Sequence, residues 1–235
     1  MPTTEVPDRH DETHHHDSHE GSGEIQLDQE FWEERYRSHS AVWSGKPNLH
    51  LVNQSADLTP GTALDVGAGE GADAVWLAER GWHVTAIDIS TVALNRAASH
   101  AREAGADVAG RIEWLQADLT SWVPKPMSYD LVSAQFLHLP KSHRETVLAN
   151  LAASVAADGT LLFVGHHPSD LQTTVRRPPM PELFYTAEEI GDSLNPDEWD
   201  ILVSEAHPRE ATDPEGRAVT VHDAVLRARR STGRG

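Results

Sequence analysis

The residues with the clearest chemical potential are Asp65-Val66-Gly67-Ala68-Gly69-Glu70-Gly71. Glycines at alternate positions remove side chains from a tight turn, so a ligand can reach the backbone N–H groups at the start of a following helix. Asp88 comes 17 residues after Gly71, and Asp118 follows in Gln116-Ala117-Asp118-Leu119. A carboxylate at the end of the second strand of such a unit can accept hydrogen bonds from both hydroxyls of a ribose. Each feature has a plainer reading by itself: a glycine-rich turn, a cap for the helix opened by Ser90, and a turn at Asp118. Their joint placement at successive strand ends favours a ligand site.

The surrounding sequence supplies the elements that must hold these residues. Phe31, Trp32, Arg35 and Tyr36 fall at helical spacing before the turn Gly45-Lys46-Pro47-Asn48, and a second helix is expected over 49–57. Strands are expected at 62–66, 84–87, 112–116, 131–134 and 160–164, and helices at 72–80, 91–104 and 142–156. Pro124-Lys125-Pro126 marks a loop, and Pro178, Pro179 and Pro181 mark a surface excursion. Segments 199–205 and 219–227 flank the turn sequence Asp213-Pro214-Glu215-Gly216 and read as an antiparallel hairpin, with the basic end from Arg227 to Arg234 read as solvated. The alternation predicts an α/β fold with a doubly wound, mostly parallel sheet, whose ligands bind where the strand order reverses.

Composition narrows the function classes. Asp plus Glu number 37 against 19 Lys plus Arg, a formal net charge of −18 that disfavours nucleic acid and anionic lipid as partners. With no Cys, disulfides, thiolate metal sites and cysteine nucleophiles are excluded, and a cytoplasmic location is expected. No apolar run approaches the roughly 18 residues of a membrane span. Residues 1–24 read as a disordered acidic tail carrying His10, His14, His15, His16 and His19, a composition able to hold divalent metal weakly. Residues 25–60 read as an N-terminal helical cap and 61–230 as the ligand-binding domain, behind which no resident metal is expected.

Across residues 60–229 the chain resembles the class I S-adenosylmethionine-dependent methyltransferases. Their acid-x-Gly-x-Gly-x-Gly motif is matched by Asp65, Gly67, Gly69 and Gly71, their ribose acid by Asp88, and their adenine-side acid by Asp118 with Leu119 beside it. The aromatic approach from Phe31-Trp32 to Trp43 is similar to the small-molecule branch around thiopurine and tellurite methyltransferases. The resemblance implies a seven-stranded Rossmann-like sheet with an antiparallel last strand, S-adenosylmethionine as cofactor and a small-molecule acceptor. It places the methionine ammonium near Asp65, the carboxylate and sulfur along Gly67, Ala68, Gly69 and Gly71, and the adenine against Ile89, with Ala134 also on the cofactor side.

For the acceptor, Ser133-Ala134-Gln135-Phe136-Leu137-His138-Leu139-Pro140 falls where this family lines its transfer site. It lacks the acidic-or-Asn, Pro, Pro, aromatic tetrad of enzymes acting on adenine or glutamine amides, so those acceptors are disfavoured. His138 is the candidate general base, because imidazole titrates near working pH. Gln135, His166, His167, Trp32, Tyr36 and Trp43 are the candidate acceptor-side residues, with the three aromatics as a lid over cofactor and substrate. His138, His143, His166 and His167 also form a potential metal-binding set, for which a polar pocket wall is the preferred reading. Two alternatives stay open. An NAD(P)-binding oxidoreductase would need Gly-x-Gly-x-x-Gly, which places Ala72 where the third glycine belongs. A non-catalytic cofactor-binding or scaffolding domain would keep the loop without the chemistry.

Overall fold

A computed structural model describes residues 27–139, 141–178 and 180–232, so the acidic tail 1–24 lies outside the described residues. The order begins with helices α1 (Gln29–Ser38) and α2 (Leu49–Gln54). It continues with β1 (Thr62–Val66), α3 (Ala72–Glu79), β2 (His83–Asp88), α4 (Thr91–Ala104), α5 (Ala106–Ala109) and β3 (Ile112–Gln116). After β4 (Tyr129–Gln135) come α6 (Lys141–Ser154), β5 (Val155–His166), α7 (Ala187–Gly191), β6 (Trp199–Thr212) and β7 (Ala218–Arg230). The strands form one seven-stranded sheet in the order β3-β2-β1-β4-β5-β7-β6. β1 to β5 are parallel, while β7 runs antiparallel to both β5 and β6.

Alternation along each strand sends successive side chains to opposite faces and produces two cores. On one face Leu64, Val66, Val132, Leu161 and Phe163 pack against Val147, Leu148 and Leu151 of α6 and Ile190 of α7. On the other, Ala63, Leu131, Leu162 and Val164 pack against Leu51 of α2 and Ala74, Leu77 and Ala78 of α3. Capping sets the boundaries: Asp28 accepts from Phe31 N at 3.0 Å, and Ser90 accepts from Ala93 N at 3.2 Å. Gly105 ends α4 with φ 133°, and its N–H bonds back to Ala101 and Arg102. Among the described residues no helix is long and apolar enough to cross a membrane.

Several expectations need correction. α6 ends at Ser154 rather than 156, because Val155 already pairs with Tyr129 in the sheet. Asp158-Gly159 therefore sits within β5 as an irregularity, with Asp158 at φ 60°, rather than ahead of it. The hairpin is longer than predicted, with thirteen to fourteen residues in each arm. Arg227, Arg229 and Arg230 accordingly lie in β7 and not in a solvated tail: they pair with Asp57, Asp200 and Glu198 at 3.0–3.2 Å. The surface excursion contains two short 3-10 turns and leads into α7, whose start is closed by a capping box between Thr186 and Glu189.

Candidate active site

Strand order reverses between β1 and β4, and the glycine loop leaves β1 at that point. Gly67, Gly69 and Gly71 have φ of 71°, 54° and 85°, the left-handed region that side chains disfavour. A Cβ at Gly71 would stand 2.6 Å from Ala97 Cβ and 2.8 Å from Trp114, so this glycine also permits α3, α4 and β3 to close together. Asp88 is buried at the end of β2 and organises the loop: Oδ2 accepts from Gly69 N and Oδ1 from Ser90 N, both at 2.8 Å. Each oxygen keeps a further lone pair for a ligand hydroxyl. Burial raises the Asp88 pKa against these bonds.

Asp65 is 2% exposed, and its Oδ2 has no hydrogen-bond partner. Burial, with the charges of Asp73 and Asp88, pushes its pKa well above the ordinary carboxylate range. Asp73, from the first turn of α3, is raised by burial to about 6 and accepts from Asn48 N at 2.6 Å. A buried acid next to a half-buried one, beside glycine N–H groups, fits a ligand that carries an ammonium. Ile89 and Ala68 are half-buried at the same edge. Asp118 is exposed, and its Oδ1 takes the N–H and hydroxyl of Thr120, so it shapes the turn after β3, with Leu119 packed inward. Ala134 is fully buried in the core on the α6 side.

The three cap aromatics divide between two places. Trp43 Nε1 donates to Tyr36 OH at 2.9 Å, and both atoms lie about 3 Å from where a Cβ on Gly69 would stand. Tyr36 and Trp43 thus cover the glycine loop, while Trp32 reaches further and lies 5.8 Å from the His138 ring. The cap is fastened by residues that the sequence did not single out. Glu70, inside the glycine loop, accepts from Val42 N and Trp43 N at 3.0 and 3.1 Å. Arg96 of α4 joins Glu70 at 2.9 Å and donates to the carbonyls of Tyr36 and His39 at 2.6 and 2.8 Å. Glu33 of α1 accepts from Thr91 N at the start of α4, 2.8 Å away. The visible signal was acidic letters between essential glycines, where no ligand role requires them.

At the ends of β4 and β5, His138 and His166 lie 5.9 Å apart, with Phe136 4.7 Å and Phe184 5.9 Å from His166. Phe136 has φ 51°, uncommon for a bulky residue and the kind of backbone strain that clusters at functional sites. Burial, followed by the charges of Arg35 and Arg177, lowers His138 to about 4. Burial, Arg177 and His138 lower His166 to about 3. Both imidazoles are therefore neutral at pH 7. Gln135 turns its amide nitrogen to Ser133 Oγ at 2.9 Å, leaving Oε1 buried without a partner.

The four-histidine set does not come together. His167 caps the 3-10 turn Pro168–Gln172 by accepting from Ser169 N, and His143 is exposed on α6. Among the described residues no group of three or more His, Asp or Glu side chains is arranged to hold a metal. A groove of about 700 Å³ between α6, α7 and the base of the hairpin contains none of the candidate residues, so size alone does not mark the site.

Residues 63–159, which run from the second residue of β1 through the glycine loop and α6 into the start of β5, match the family model described as a methyltransferase domain. An uncharacterized methyltransferase of Mycobacterium tuberculosis is 36% identical over 121 residues, covering 50% of this chain and 58% of that protein. A ubiquinone biosynthesis O-methyltransferase of Xylella fastidiosa is 30% identical over 116 residues, covering 49% of this chain and 46% of that protein. The fold is similar to that of TehB from Haemophilus influenzae, with a TM-score of 0.66 at 18% identity over 85% of this chain and 67% of that one. The likeness is to methyltransferase domains over residues 63–159 in sequence, and to the fold of S-adenosylmethionine-dependent methyltransferases over most of the chain. It spans about half the length of the curated relatives it matches.

Proposed function

We propose that this protein transfers a methyl group from S-adenosylmethionine to a small-molecule acceptor. The observation that carries this reading is the meeting, at one sheet edge, of a buried acid with an unpartnered oxygen beside the glycine loop and a cluster of neutral histidines among aromatic rings. In this reading Asp65 and Asp73 face the ammonium, and Gly67, Ala68, Gly69 and Gly71 lie along the methionine portion. Asp88 takes the ribose hydroxyls, while Ile89, Asp118 and Leu119 bound the adenine side; Ala134, sealed in the core, contributes no side-chain surface to the cofactor. Bound there, the cofactor supplies an electrophilic methyl on a sulfonium leaving group.

The chain's task is alignment and exclusion of water more than acid–base chemistry. Tyr36 and Trp43 cover the loop; Trp32, Phe136 and Phe184 wall the acceptor side; Gln135, His138 and His166 offer hydrogen bonds to orient the nucleophile. His167, tied to Ser169, sits at the margin. The domain division belongs to the same reading: 25–60 is the cap, 61–230 the catalytic domain, and 1–24 an acidic tail. So does a cytoplasmic location.

Parallel calorimetric titrations with S-adenosylmethionine, S-adenosylhomocysteine and NAD(P) test the cofactor assignment. Binding of the first two and not the third is expected; binding of NAD(P) alone would move the protein to the oxidoreductases. Transfer of radiolabelled methyl into a metabolite extract then separates an enzyme from a binding scaffold.

A further inference from the structure

The hairpin adds a polar row, centred on a buried acid, beside the acceptor-side histidines. β7 sets Asp223 directly opposite His166 of β5 and, on its other side, directly opposite His207 of β6. Opposed residues in an antiparallel ladder project from the same face, with Cβ atoms about 4.5–5.5 Å apart. Asp223 is 1% exposed. Its Oδ2 lies 3.1 Å from His50 Nε2 of α2 and accepts from Arg209 Nε of β6 at 2.7 Å. Burial would raise its pKa, but the bonds to His50 and Arg209 outweigh burial and hold it below the ordinary range, so Asp223 is ionised.

The other carboxylate oxygen, Oδ1, is buried and has no partner, and neither have the buried Nδ1 atoms of His166 and His207, the two residues opposed to Asp223. A buried polar atom left unpaired is costly, so native structures seldom keep one. Asp223 Oδ1 and His166 Nδ1 stand on opposed residues, each three bonds from its Cα, and so at similar heights above the sheet. Arg209 of β6 and His50 of α2 both engage Oδ2, and Arg209 already supplies a partner from the β6 side, so the β5 imidazole is the one without a competing cation beside it.

Resting on the methyl-transfer reading, we infer that Asp223 is a positioning residue for His166: its Oδ1 accepts the His166 Nδ1–H and fixes that tautomer. Nε2, at the ring tip, is then a lone-pair acceptor beside His138. The methyl acceptor it suits carries its own proton on the nucleophile, as a neutral amine, hydroxyl or thiol does: it donates that proton as a hydrogen bond to Nε2 while its lone pair takes the methyl, the cofactor's S–CH3 bond breaks to leave the neutral thioether, and the proton of the methylated product passes to solvent. Besides Asp223, the charged or titratable groups acting on His166 are Arg177, His138 and Asp170; Arg177 is itself tied to Asp170 at 2.6 Å.

Long-range 15N–1H correlation of the labelled protein, without cofactor or acceptor, reads the tautomer directly, with His166 assigned from a His166→Asn variant. The Nδ1–H pattern is expected at pH 7, and an Nε2–H pattern in the wild type would overturn the inference whatever any variant does. Asp223→Asn should raise the Nε2–H fraction, whereas His207→Gln should leave His166 unchanged. An unaltered pattern in a folded Asp223→Asn protein, or a changed one in His207→Gln, would equally overturn it. Because this measurement involves no methyl transfer, its outcome is separate from that of the radiolabel experiment.

Discussion

His138 is the acceptor-side residue singled out by sequence, and its surroundings change the role expected of it. A conjugate acid near pH 4 makes a poor proton acceptor at neutral pH but a competent hydrogen-bonding group. Replacing it with Ala should lower turnover by about five- to twentyfold, the worth of one or two hydrogen bonds. His138→Gln should stay within about threefold, and the wild-type rate should show no limb near pH 6.5 due to this residue. A thousandfold loss in both variants, with a kinetic pKa near 6.5, would restore general-base catalysis. Asp65 and Asp73 lead to a second expectation. Both hold protons above the ordinary carboxylate range, and an ammonium beside them favours the charged form. Cofactor binding near pH 6 should therefore release protons and tighten as pH rises. Calorimetry in buffers of different ionisation enthalpy measures this directly, and zero release would count against placing the ammonium there.

α1 and the segment that follows it owe their position to side-chain bonds with the glycine loop and α4 more than to a large apolar face. Arg96 alone ties Glu70 to two carbonyls of the cap. Arg96→Ala should weaken cap docking by about 1–3 kcal/mol, since hydrogen bonds to a partly buried charge are being lost. Amide hydrogen exchange should then accelerate roughly ten- to a hundredfold in α1 and at Val42 and Trp43, while β1 and β4 keep their protection. Uniform acceleration across the sheet would show that the cap and core unfold together.

Opposing titrations shape the stability of the molecule below neutral pH. His138 and His166 fall from the ordinary 6.5 to about 4 and 3, so between those values and 6.5 the unfolded chain binds more protons and stability rises with pH. Asp73, raised from 3.8 to about 6, acts in the other direction: the folded state holds the extra proton, and this stabilisation is lost as pH rises through 6. Asp65 and Asp88 add to the second effect. His138→Gln should flatten the rise in melting temperature between pH 4 and 6.5, and Asp73→Asn should steepen it. Identical pH profiles for wild type and both variants would mean that these groups titrate alike in the folded and unfolded states.

The alternating strands and helices, the glycine loop and Asp88 were legible in the amino-acid order because their causes are local. β1, α4 and β3 fall on the expected residues, where short apolar runs, Ser90 and Gly105 mark the boundaries within a few positions. Partners distant in sequence were not legible in this way. The end of α6 was overrun because Val155 is claimed by Tyr129 across the sheet, and Arg227 to Arg230 became strand because β5 and β6 flank them. Glu70 carries no assignment in the linear order, because its partners Arg96 and the cap amides lie 26–28 residues away and are brought to it by the fold. His166 and His167 are neighbours in the chain, yet one lines the aromatic cluster and the other caps a turn, since successive residues leaving a strand point to opposite sides. Repeat period and capping act over a few residues and can be read along a line; burial, charge and partner choice depend on what the closed sheet brings alongside.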